Sequence, residues 1–344
     1  MATKEPTYTP PFTVTDEMTS LVADITEVID LLSANETNIP SPRLRKENRI
    51  KTIHSSLAIE HNSLSLEQVT AIIEGKRVLG PPNEVQEVRN AIDAYNLLLE
   101  LNPYKAKDLL RAHQLMMANL VKENGQFRNG NVGVFDGDRC IHLGVPPMRV
   151  PSAISELLEW VKLTKTHPLI SSCVFHYEFE FIHPFADGNG RLGRMWQTLL
   201  LMQWKPIFAW IPVETIVKQH QQEYYNAIAQ SDSVGNSTVF ITFMLKCLKE
   251  SLSELQASNQ KSDQKTTQKT AQKTTQKILS LIQQKSNITR IELAEACGIS
   301  PDGIKWQLKK LQAAGLIRRV GPDKGGHWEI INNEPLLSNN KYTI

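Results

Sequence analysis

The sequence predicts a mainly α-helical protein that carries one β-hairpin and a small C-terminal domain with two strands. Two observations support this fold class: apolar residues recur every three or four positions through most of the chain, and one Asp-Gly step joins two β-prone runs. The 344 residues, 41% of them hydrophobic, can bury a sizeable core and form roughly two domains. The composition therefore argues against a disordered or fibrous protein.

Seven segments before residue 259 have the apolar spacing of helices. They are Met18–Leu32, Val85–Leu101, Leu109–Val121, Ile154–Leu163, Leu169–Phe181, Leu192–Met202 and Phe240–Leu252. The hairpin signal interrupts them, because Val132–Phe135 and Asp138–Leu143 are β-prone and meet at Asp136-Gly137. A lone hairpin is only marginally stable, so we expect it to pack against the helices.

Residues 259–277 repeat a Gln-Lys pair every four positions and hold one hydrophobic residue, Ala271. We interpret them as a solvated linker, with a helical spacer as the alternative. The segment carries five lysines and one aspartate, and residues 278–344 carry nine basic and six acidic residues. With a total net charge of +2, residues 1–258 hold −5. The body is thus acidic and the tail basic.

The C-terminal region shows helical spacing from Ile278 and from Thr289, then a helix that Ser300 caps and Pro301 opens. Two β-prone runs follow, at 315–320 and 327–331. This order resembles a winged helix-turn-helix over about residues 273–331. Six basic residues of its third helix and wing suit phosphate contacts: Lys305, Lys309, Lys310, Arg318, Arg319 and Lys324. Both DNA and a protein remain candidate partners, because winged helices bind either.

The four cysteines lie far apart and form no C-x-x-C pair, which argues against a disulfide framework or a zinc ribbon. Residues 1–13 contain no apolar stretch typical of a signal peptide, and no segment is apolar enough to span a membrane. We expect a cytoplasmic protein without a membrane partner.

The most informative segment is Phe181–Arg194, which reads F-I-H-P-F-A-D-G-N-G-R-L-G-R between two predicted helices. A loop that enters a helix N-terminus directs unpaired N–H groups at an anion, and Gly188 and Gly190 allow a phosphate chain to come close. Arg191 and Arg194 project from one helix face and suit the outer phosphates. The sequence therefore predicts a nucleotide-phosphate site.

Two further side chains of this segment suit phosphate chemistry. Asp187 offers a hard oxygen ligand for a Mg²⁺ ion that bridges phosphates. His183 stands at the start of the loop and is the only one of these groups that accepts a proton near neutral pH. The arrangement suits attack of a hydroxyl on a nucleotide phosphate.

At every fixed position the segment matches H-P-F-x-x-G-N-G-R-x-x-R, so the chain resembles the Fic family, and the resemblance extends over residues 9–255, including Gln126-Phe127-Arg128. The resemblance implies an all-helical Fic fold and a protein adenylyltransferase that moves AMP from ATP to a Ser, Thr or Tyr hydroxyl, releasing pyrophosphate. The domains would be a helical region at 1–102, the Fic core at 103–258, the linker at 259–277 and the winged helix-turn-helix with its tail at 278–344.

The resemblance also assigns roles to individual residues. His183 would be the catalytic base and Asp187 would hold Mg²⁺. The nucleotide would contact these residues of the motif: Gly188, Asn189, Gly190, Arg191, Gly193 and Arg194. Relatives that use nucleotides in another orientation carry lysine in place of Gly190, so the glycine favours AMP transfer over phosphorylation. The hairpin, residues 132–143, would be a flap that pairs with the main chain of the target protein, where His142 could touch it.

A second segment, Ser55–Asn62, resembles the inhibitory motif S/T-x-x-x-E-G/N of the family, with Ser56 and Glu60 in register on one helix face. His61 stands where the motif has Gly or Asn. Tyr224 and Tyr225 are candidates for an adenine pocket, although a tyrosine pair on a helix commonly packs in a core. We expect His176 to be a packing residue of its helix rather than a second catalytic or metal-binding histidine. A second copy of the chain, in a homodimer, is a further candidate partner.

Three functions remain open at this stage. The first is an adenylyltransferase that its own Glu60 restrains by forming a bidentate pair with Arg194, which the terminal phosphate of ATP also needs. The second is a DNA-binding regulator whose Fic domain only senses a nucleotide, which the intact motif argues against. The third is the removal of AMP from a modified protein, with Glu60 positioning a water molecule. The first and third use the same residues, so the sequence does not separate them.

Overall fold

The computed structural model describes residues 6–33, 41–136, 139–322 and 325–331, and at 33, 134–136, 139–143 and 259–273 it describes the backbone alone. The chain divides into two compact units, Met1–Ala257 and Ser258–Ile344. Helices dominate the described residues, as the sequence predicts, and the only described strands form two antiparallel pairs.

The first unit is built from ten helices and the beginning of an eleventh among its described residues. They are α1 (Asp16–Ser33), α2 (Pro42–Ile59), α3 (Leu66–Ile73), α4 (Pro82–Asn96), α5 (Ala106–Met116), α6 (Val150–Leu163), α7 (Pro168–Ile182), α8 (Asn189–Trp204), α9 (Val213–Gln219), α10 (Gln221–Val234) and α11 (Thr238–Gln284). The seven predicted helices are all present, with shifted ends. For example, α5 ends at Met116, and 3₁₀ residues Leu98–Glu100 follow α4.

The core of the first unit is centred on α7 and α8, which are buried along nearly their whole length. Large side chains such as Phe175, Phe179 and Trp196 have almost no exposed surface. Each contributes about 1.5–3 kcal/mol through the burial of its apolar surface. The two helices hold the loop that joins them, residues 183–188, on a rigid base.

Helix α2 packs against α9 and also contacts α4 and α8. Its N-cap is Ser41, whose hydroxyl accepts a hydrogen bond from the N–H of Leu44, and Pro42 is the first residue of the helix. Its buried face includes polar residues: the side chain of Asn48 donates to the carbonyl of Trp210 at 2.9 Å. This burial of polar groups explains why α2 lacks the apolar spacing by which the other helices are recognised.

The predicted hairpin is present as β1 (Gly133–Asp136) and β2 (Arg139–Leu143). The strands pair in antiparallel register from Gly133 opposite Leu143 to Asp136 opposite Arg139, and a bulge shifts the register after Val134. Residues 137–138 of the turn lie outside the described residues, as do the side chains of the strands, including the predicted target contact His142.

The second unit contains the end of α11, α12 (Arg290–Cys297), α13 (Pro301–Ala313), β3 (Ile317–Val320) and β4 (His327–Ile330). Thr289 and Glu292 form a capping box at α12, and the Ser300 hydroxyl caps α13. Ile304, Leu308 and Leu311 point from α13 into a small separate core. The predicted winged helix-turn-helix order is confirmed, while its basic residue Lys324 lies outside the described residues.

Residues 259–277 belong to α11, and their backbone is helical, which favours the helical spacer over a solvated coil. Their role as a linker stays a prediction. Side chains every four residues fall on one face of a helix, so the repeat is compatible with helix without any buried face. Among the described residues, none of the helices combines the length and the apolar character that crossing a bilayer requires.

Candidate active site

The loop between α7 and α8 is shaped by two residues in the left-handed backbone region. His183 ends α7 with φ 51° and ψ 62°, and Gly188 precedes α8 with φ 84°. A Cβ atom at Gly188 would lie 2.6 Å from Sδ of Met117, so both the backbone angle and the space require glycine there. The loop thus turns sharply and enters the N-terminus of α8.

Asn189 closes the loop on itself. Its side-chain Nδ2 donates to the carbonyl of Phe185, and its Oδ1 accepts from the N–H of Phe185, both at 2.9 Å. Asn189 is almost fully buried. Its side chain therefore shapes the loop, and its predicted contact with phosphate is one that the structure does not test.

His113 of α5 supports the loop from below. Its ring stacks on Phe185 with the ring centres 3.7 Å apart. Nδ1 accepts from the N–H of Gly125, so Nε2 carries the proton and donates to the carbonyl of Asp187 at 3.0 Å. Burial lowers the pKa of His113 to about 4, so the ring is neutral at physiological pH. Sequence reasoning gave His113 no special role.

Two carboxylates hold Arg191. Its Nη1 donates to Glu87 at 3.0 Å and its Nη2 donates to Oδ1 of Asp187 at 2.9 Å. The same Oδ1 accepts from the N–H of Gly188 at 2.6 Å, while the Asp187 side chain remains 58% exposed. Arg191 is thus fixed at the mouth of the loop with an accessible carboxylate beside it. Glu87 was not predicted, because nothing in its local sequence marks it.

Arg194 binds both predicted inhibitory residues. Its Nη2 donates to Oε1 of Glu60 at 2.7 Å and to the carbonyl of Ser56 at 3.0 Å, and its Nε donates to the Ser56 hydroxyl at 3.2 Å. The Arg194 side chain is 3% exposed and that of Glu60 is 33% exposed. Burial alone would lower the pKa of Arg194, but the nearby Glu60 carboxylate raises that pKa above its ordinary value. The sequence predicted this contact between residues far apart in the chain.

The Glu60 carboxylate also covers the start of α8. A Cβ atom at Gly190 would lie 2.3 Å from Oε1 of Glu60, so the carboxylate lies directly against the first turn of that helix. Helix N-termini attract anions through their free N–H groups and their dipole. Glu60 therefore lies where the sequence places nucleotide phosphates.

The turn after Glu60 is a Schellman motif. The N–H of His61 donates to the carbonyl of Ala58, and the N–H of Asn62 donates to the carbonyl of Leu57. His61 has φ 67°, in the left-handed region where glycine or asparagine is preferred. The position at which the sequence departs from the inhibitory motif is thus the position that needs positive φ, and histidine adopts it. The departure strains the turn but leaves Glu60 in place.

Side chains of α9 and α10 cap the C-terminal end of α2. Nζ of Lys218 donates to the carbonyl of Ala58 at 2.7 Å, and Nε2 of Gln221 donates to the carbonyl of Ile59 at 2.9 Å. The hydroxyl of Tyr225 donates to the same Ile59 carbonyl at 3.2 Å. A positive charge at a helix C-terminus is favourable. These three side chains hold the turn that carries Glu60.

Tyr224 and Tyr225 differ in their surroundings. Tyr224 is 2% exposed, and its hydroxyl lies 3.2 Å from Nε2 of His176. Nδ1 of His176 donates to Gln197, so Nε2 accepts from Tyr224, and burial lowers the pKa of His176 to about 3. The predicted packing role of His176 is confirmed. An adenine contact remains a prediction for the two tyrosines, of which only Tyr225 has substantial exposed surface.

Gly193 lies where α7 and α8 approach each other. A Cβ atom there would lie 3.0 Å from Oε1 of Glu180 and 3.2 Å from the Phe179 ring. The glycine therefore permits close helix packing, and its α-carbon faces α7. Its predicted contact with the nucleotide remains untested. Among the described residues, no three His, Cys, Asp or Glu side chains cluster as a metal site built from protein ligands alone would require.

Comparison with known proteins supports the family. A model described as the Fic/DOC family matches residues 101–201, and a model described as winged helix-turn-helix DNA-binding matches residues 272–318. A solved Fic family protein from Desulfovibrio desulfuricans G20 is 41% identical, with a TM-score of 0.72. The match covers 95% of this chain and 99% of that one. The chain belongs to the Fic family.

More distant relatives agree with this. Protein adenylyltransferase Fic from Aedes aegypti is 29% identical over 233 residues, which cover 64% of this chain and 44% of the relative. The protein of the same name from Culex quinquefasciatus is 30% identical over 221 residues, which cover 61% of this chain and 42% of the relative. This Fic chain thus spans about half the length of the curated relatives it matches. Fic-1 from C. elegans is 21% identical, with a TM-score of 0.61, and the match covers 71% of this chain and 73% of the Fic-1 chain. The two proteins share the fold.

Proposed function

We propose that this Fic protein is a protein adenylyltransferase that transfers AMP from ATP to a hydroxyl of a target protein and that Glu60 restrains it. The observation that carries the proposal is the loop of residues 183–194, with its histidine, its helix N-terminus and two buried arginines in one place. The names of relatives at 29–30% identity support the same activity.

The reaction follows from the placement of these groups. The target hydroxyl attacks the α-phosphorus of ATP, a new P–O bond forms, and the bond to the pyrophosphate oxygen breaks. His183 accepts the hydroxyl proton, and general-base catalysis of this kind contributes about 10²–10⁴ in rate. Arg191 and Arg194 bind the outer phosphates, and the first N–H groups of α8 bind the phosphates nearest the reaction.

The residues fit a Mg²⁺ ion. Asp187 offers one exposed carboxylate beside the phosphate site, and Mg²⁺ commonly takes one or two carboxylates with substrate phosphates and waters. When bound, the ion neutralises phosphate charge. The fixed contact between Arg191 and Asp187 keeps that carboxylate oriented toward the mouth of the loop.

Restraint by Glu60 follows from competition for one guanidinium. Arg194 donates Nη2 to Glu60, so the same group is not available to the terminal phosphate of ATP. The Glu60 carboxylate also lies against Gly190, where it repels phosphate. ATP therefore binds weakly or with its α-phosphate out of line, and transfer is slow until Glu60 moves away.

The hairpin and the C-terminal unit suggest two partners. Among the described residues each hairpin strand pairs only with the other, so a main-chain segment of the target can add to one edge of the hairpin. In the second unit α13 exposes Lys305, Lys309 and Lys310 on the helix that enters the DNA groove in winged helix-turn-helix proteins. We propose DNA as the partner of this unit, with affinity that falls steeply as salt rises.

Removal of AMP is a second candidate, because the Glu60 carboxylate is partly exposed beside the loop and could orient a water molecule there. One experiment separates the two. The Glu60→Gly variant and its His183→Ala double variant are incubated with ATP labelled at the α-phosphate, and wild-type protein is incubated with a target that Glu60→Gly has labelled. Transfer by Glu60→Gly that His183→Ala abolishes supports our proposal. Failure of Glu60→Gly to transfer label would contradict it, and release of the label by wild type would favour AMP removal as the reaction of the unmodified protein.

A further inference from the structure

Arg128 lies between α5 and the hairpin and has only 4% of its surface exposed. Among the described residues, all its hydrogen bonds go to backbone carbonyls. Its Nε donates to the carbonyl of His183 at 2.6 Å, and its Nη2 donates to that of Ile182 at 3.2 Å. Its backbone N–H donates to the carbonyl of Pro184 at 3.0 Å. Arg128 thus binds three consecutive carbonyls around the proposed catalytic base.

The other side of the guanidinium binds both ends of the hairpin. Nη1 donates to the carbonyl of Gly130 at 2.8 Å, and Nη2 donates to the carbonyl of Val145. Gly144 lies close by, since a Cβ atom there would be 2.8 Å from Nη2 of Arg128 and 3.3 Å from Cβ of His183. The hairpin ends are therefore fixed points against which Arg128 holds the loop.

The positive charge of Arg128 faces backbone carbonyls rather than a carboxylate. Within the described part of the chain, no carboxylate lies within 4.0 Å of its guanidinium. Its partners at Ile182 and His183 are instead the last carbonyls of α7, which carry the negative end of the helix dipole. A buried cation is stable only if its donors are satisfied, so the carbonyls must remain where they are.

His183 needs such a constraint. Its φ of 51° and ψ of 62° place a non-glycine residue in the left-handed region, at a cost of about 1–2 kcal/mol. A residue keeps such a conformation only where its surroundings determine it. Because Arg128 binds the carbonyls on both sides of the His183 α-carbon, it fixes the dihedral angles that direct the imidazole.

We propose that Arg128 is a positioning residue that holds the His183 backbone in its left-handed conformation and thereby aims the imidazole at the incoming hydroxyl. The proposal rests on the proposed role of His183 as the base. Arg128 touches neither the phosphate loop beyond Pro184 nor any side chain that we assign to ATP. Its loss therefore changes the orientation of the base and leaves the nucleotide site intact.

The size of the effect follows from geometry. A misplacement of about 1 Å at a reacting group costs on the order of 10²-fold in rate. In the Glu60→Gly background, Arg128→Met should lower kcat for AMP transfer about 100-fold and change the dissociation constant of ATP less than about threefold. Arg128→Lys keeps the charge but lacks the planar guanidinium. Its kcat should therefore lie between that of the Glu60→Gly parent and that of Arg128→Met in the same background.

A triple variant tests whether the effect passes through His183. If it does, adding Arg128→Met to the Glu60→Gly, His183→Ala protein should leave the residual rate unchanged within about twofold, because interacting residues are not additive. A further 100-fold loss in the triple variant would overturn the proposal. Arg49→Met is the matched control, since Arg49 is largely buried against Tyr95 and Trp210 and should affect stability without lowering kcat.

An NMR measurement tests the proposal without catalysis. The imidazole signal of His183, assigned by its absence in His183→Ala, should shift or split in Arg128→Met and keep its position in Arg49→Met. An unchanged signal would refute the positioning role even if AMP transfer proves real. A changed signal in a protein that transfers no AMP would keep the positioning role and refute the proposed function.

Discussion

His61 offers a direct test of how the Glu60 turn is built. His61→Gly removes a side chain that is exposed and relieves a backbone φ of 67°. The left-handed conformation costs a non-glycine residue about 1–2 kcal/mol in the folded state. Glycine offsets about 0.5–1 kcal/mol of that gain, because it raises the conformational entropy of the unfolded chain. The variant should therefore be more stable by about 0.5–1 kcal/mol.

The measurement is urea unfolding of the isolated variants, with His61→Ala as the matched control because alanine keeps the strain. The relieved strain lies in the turn that holds Glu60 on Arg194, so His61→Gly should also favour the inhibited arrangement. Since 1.4 kcal/mol corresponds to a tenfold change in an equilibrium, about 0.5–1 kcal/mol should lower basal AMP transfer about two- to fivefold. Equal stability of the glycine and alanine variants would refute the reasoning.

Three further predictions follow from the described contacts. Lys218→Met removes the charged cap of α2, which is worth about 1.5 kcal/mol, and should raise basal AMP transfer about three- to tenfold, whereas Lys205→Met at the surface should not. No difference between the two variants would contradict the capping role. Burial raises the pKa of Glu178 to about 7, whereas the pKa of an ordinary glutamate in the unfolded chain is 4.5. Between these two pH values the folded state therefore holds a proton that the unfolded state has released. Stability should fall by about 3 kcal/mol as pH rises from 4.5 to 7 and level off above 7, and Glu178→Gln should remove that fall in urea unfolding; parallel curves would exclude it. Gly188→Ala should destabilise by about 2–4 kcal/mol, more than Gly75→Ala, which has the same positive φ but open space, because only the first meets a packed side chain; equal losses would show that backbone strain alone matters.

The sequence was most informative where chemistry is local. The loop of residues 183–194 was recognisable because its spacing is fixed by a sharp turn and a helix start, which the structure shows at His183 and Gly188. The contact of Glu60 with Arg194 was predicted from a motif 134 residues away. The contact geometry itself, with the carboxylate against Gly190, required the structure.

Supporting residues were not predictable in the same way. Glu87 and His113 act through partners that are distant in the chain, and their neighbours carry no pattern that marks them. Arg128 belongs to the recognised Gln126-Phe127-Arg128, but that pattern does not show that its partners are the carbonyls around His183. Helices α3 and α9 were missed because eight and seven residues give too short a period to recognise. The helical backbone of residues 259–277 was not predictable with certainty, because a segment with Ala271 as its one hydrophobic residue has no apolar spacing that marks a helix.

The central claim is that the Glu60 carboxylate occupies the phosphate site and withholds Arg194 from ATP. The most direct test compares kcat for AMP transfer and the dissociation constant of ATP in wild type, Glu60→Gln and Glu60→Gly at matched ATP and Mg²⁺. We predict that kcat rises in that order and changes more than ATP binding, because the glutamine keeps the shape while losing the charge. Equal kcat in all three proteins would contradict the account and show that Glu60 is an ordinary surface residue.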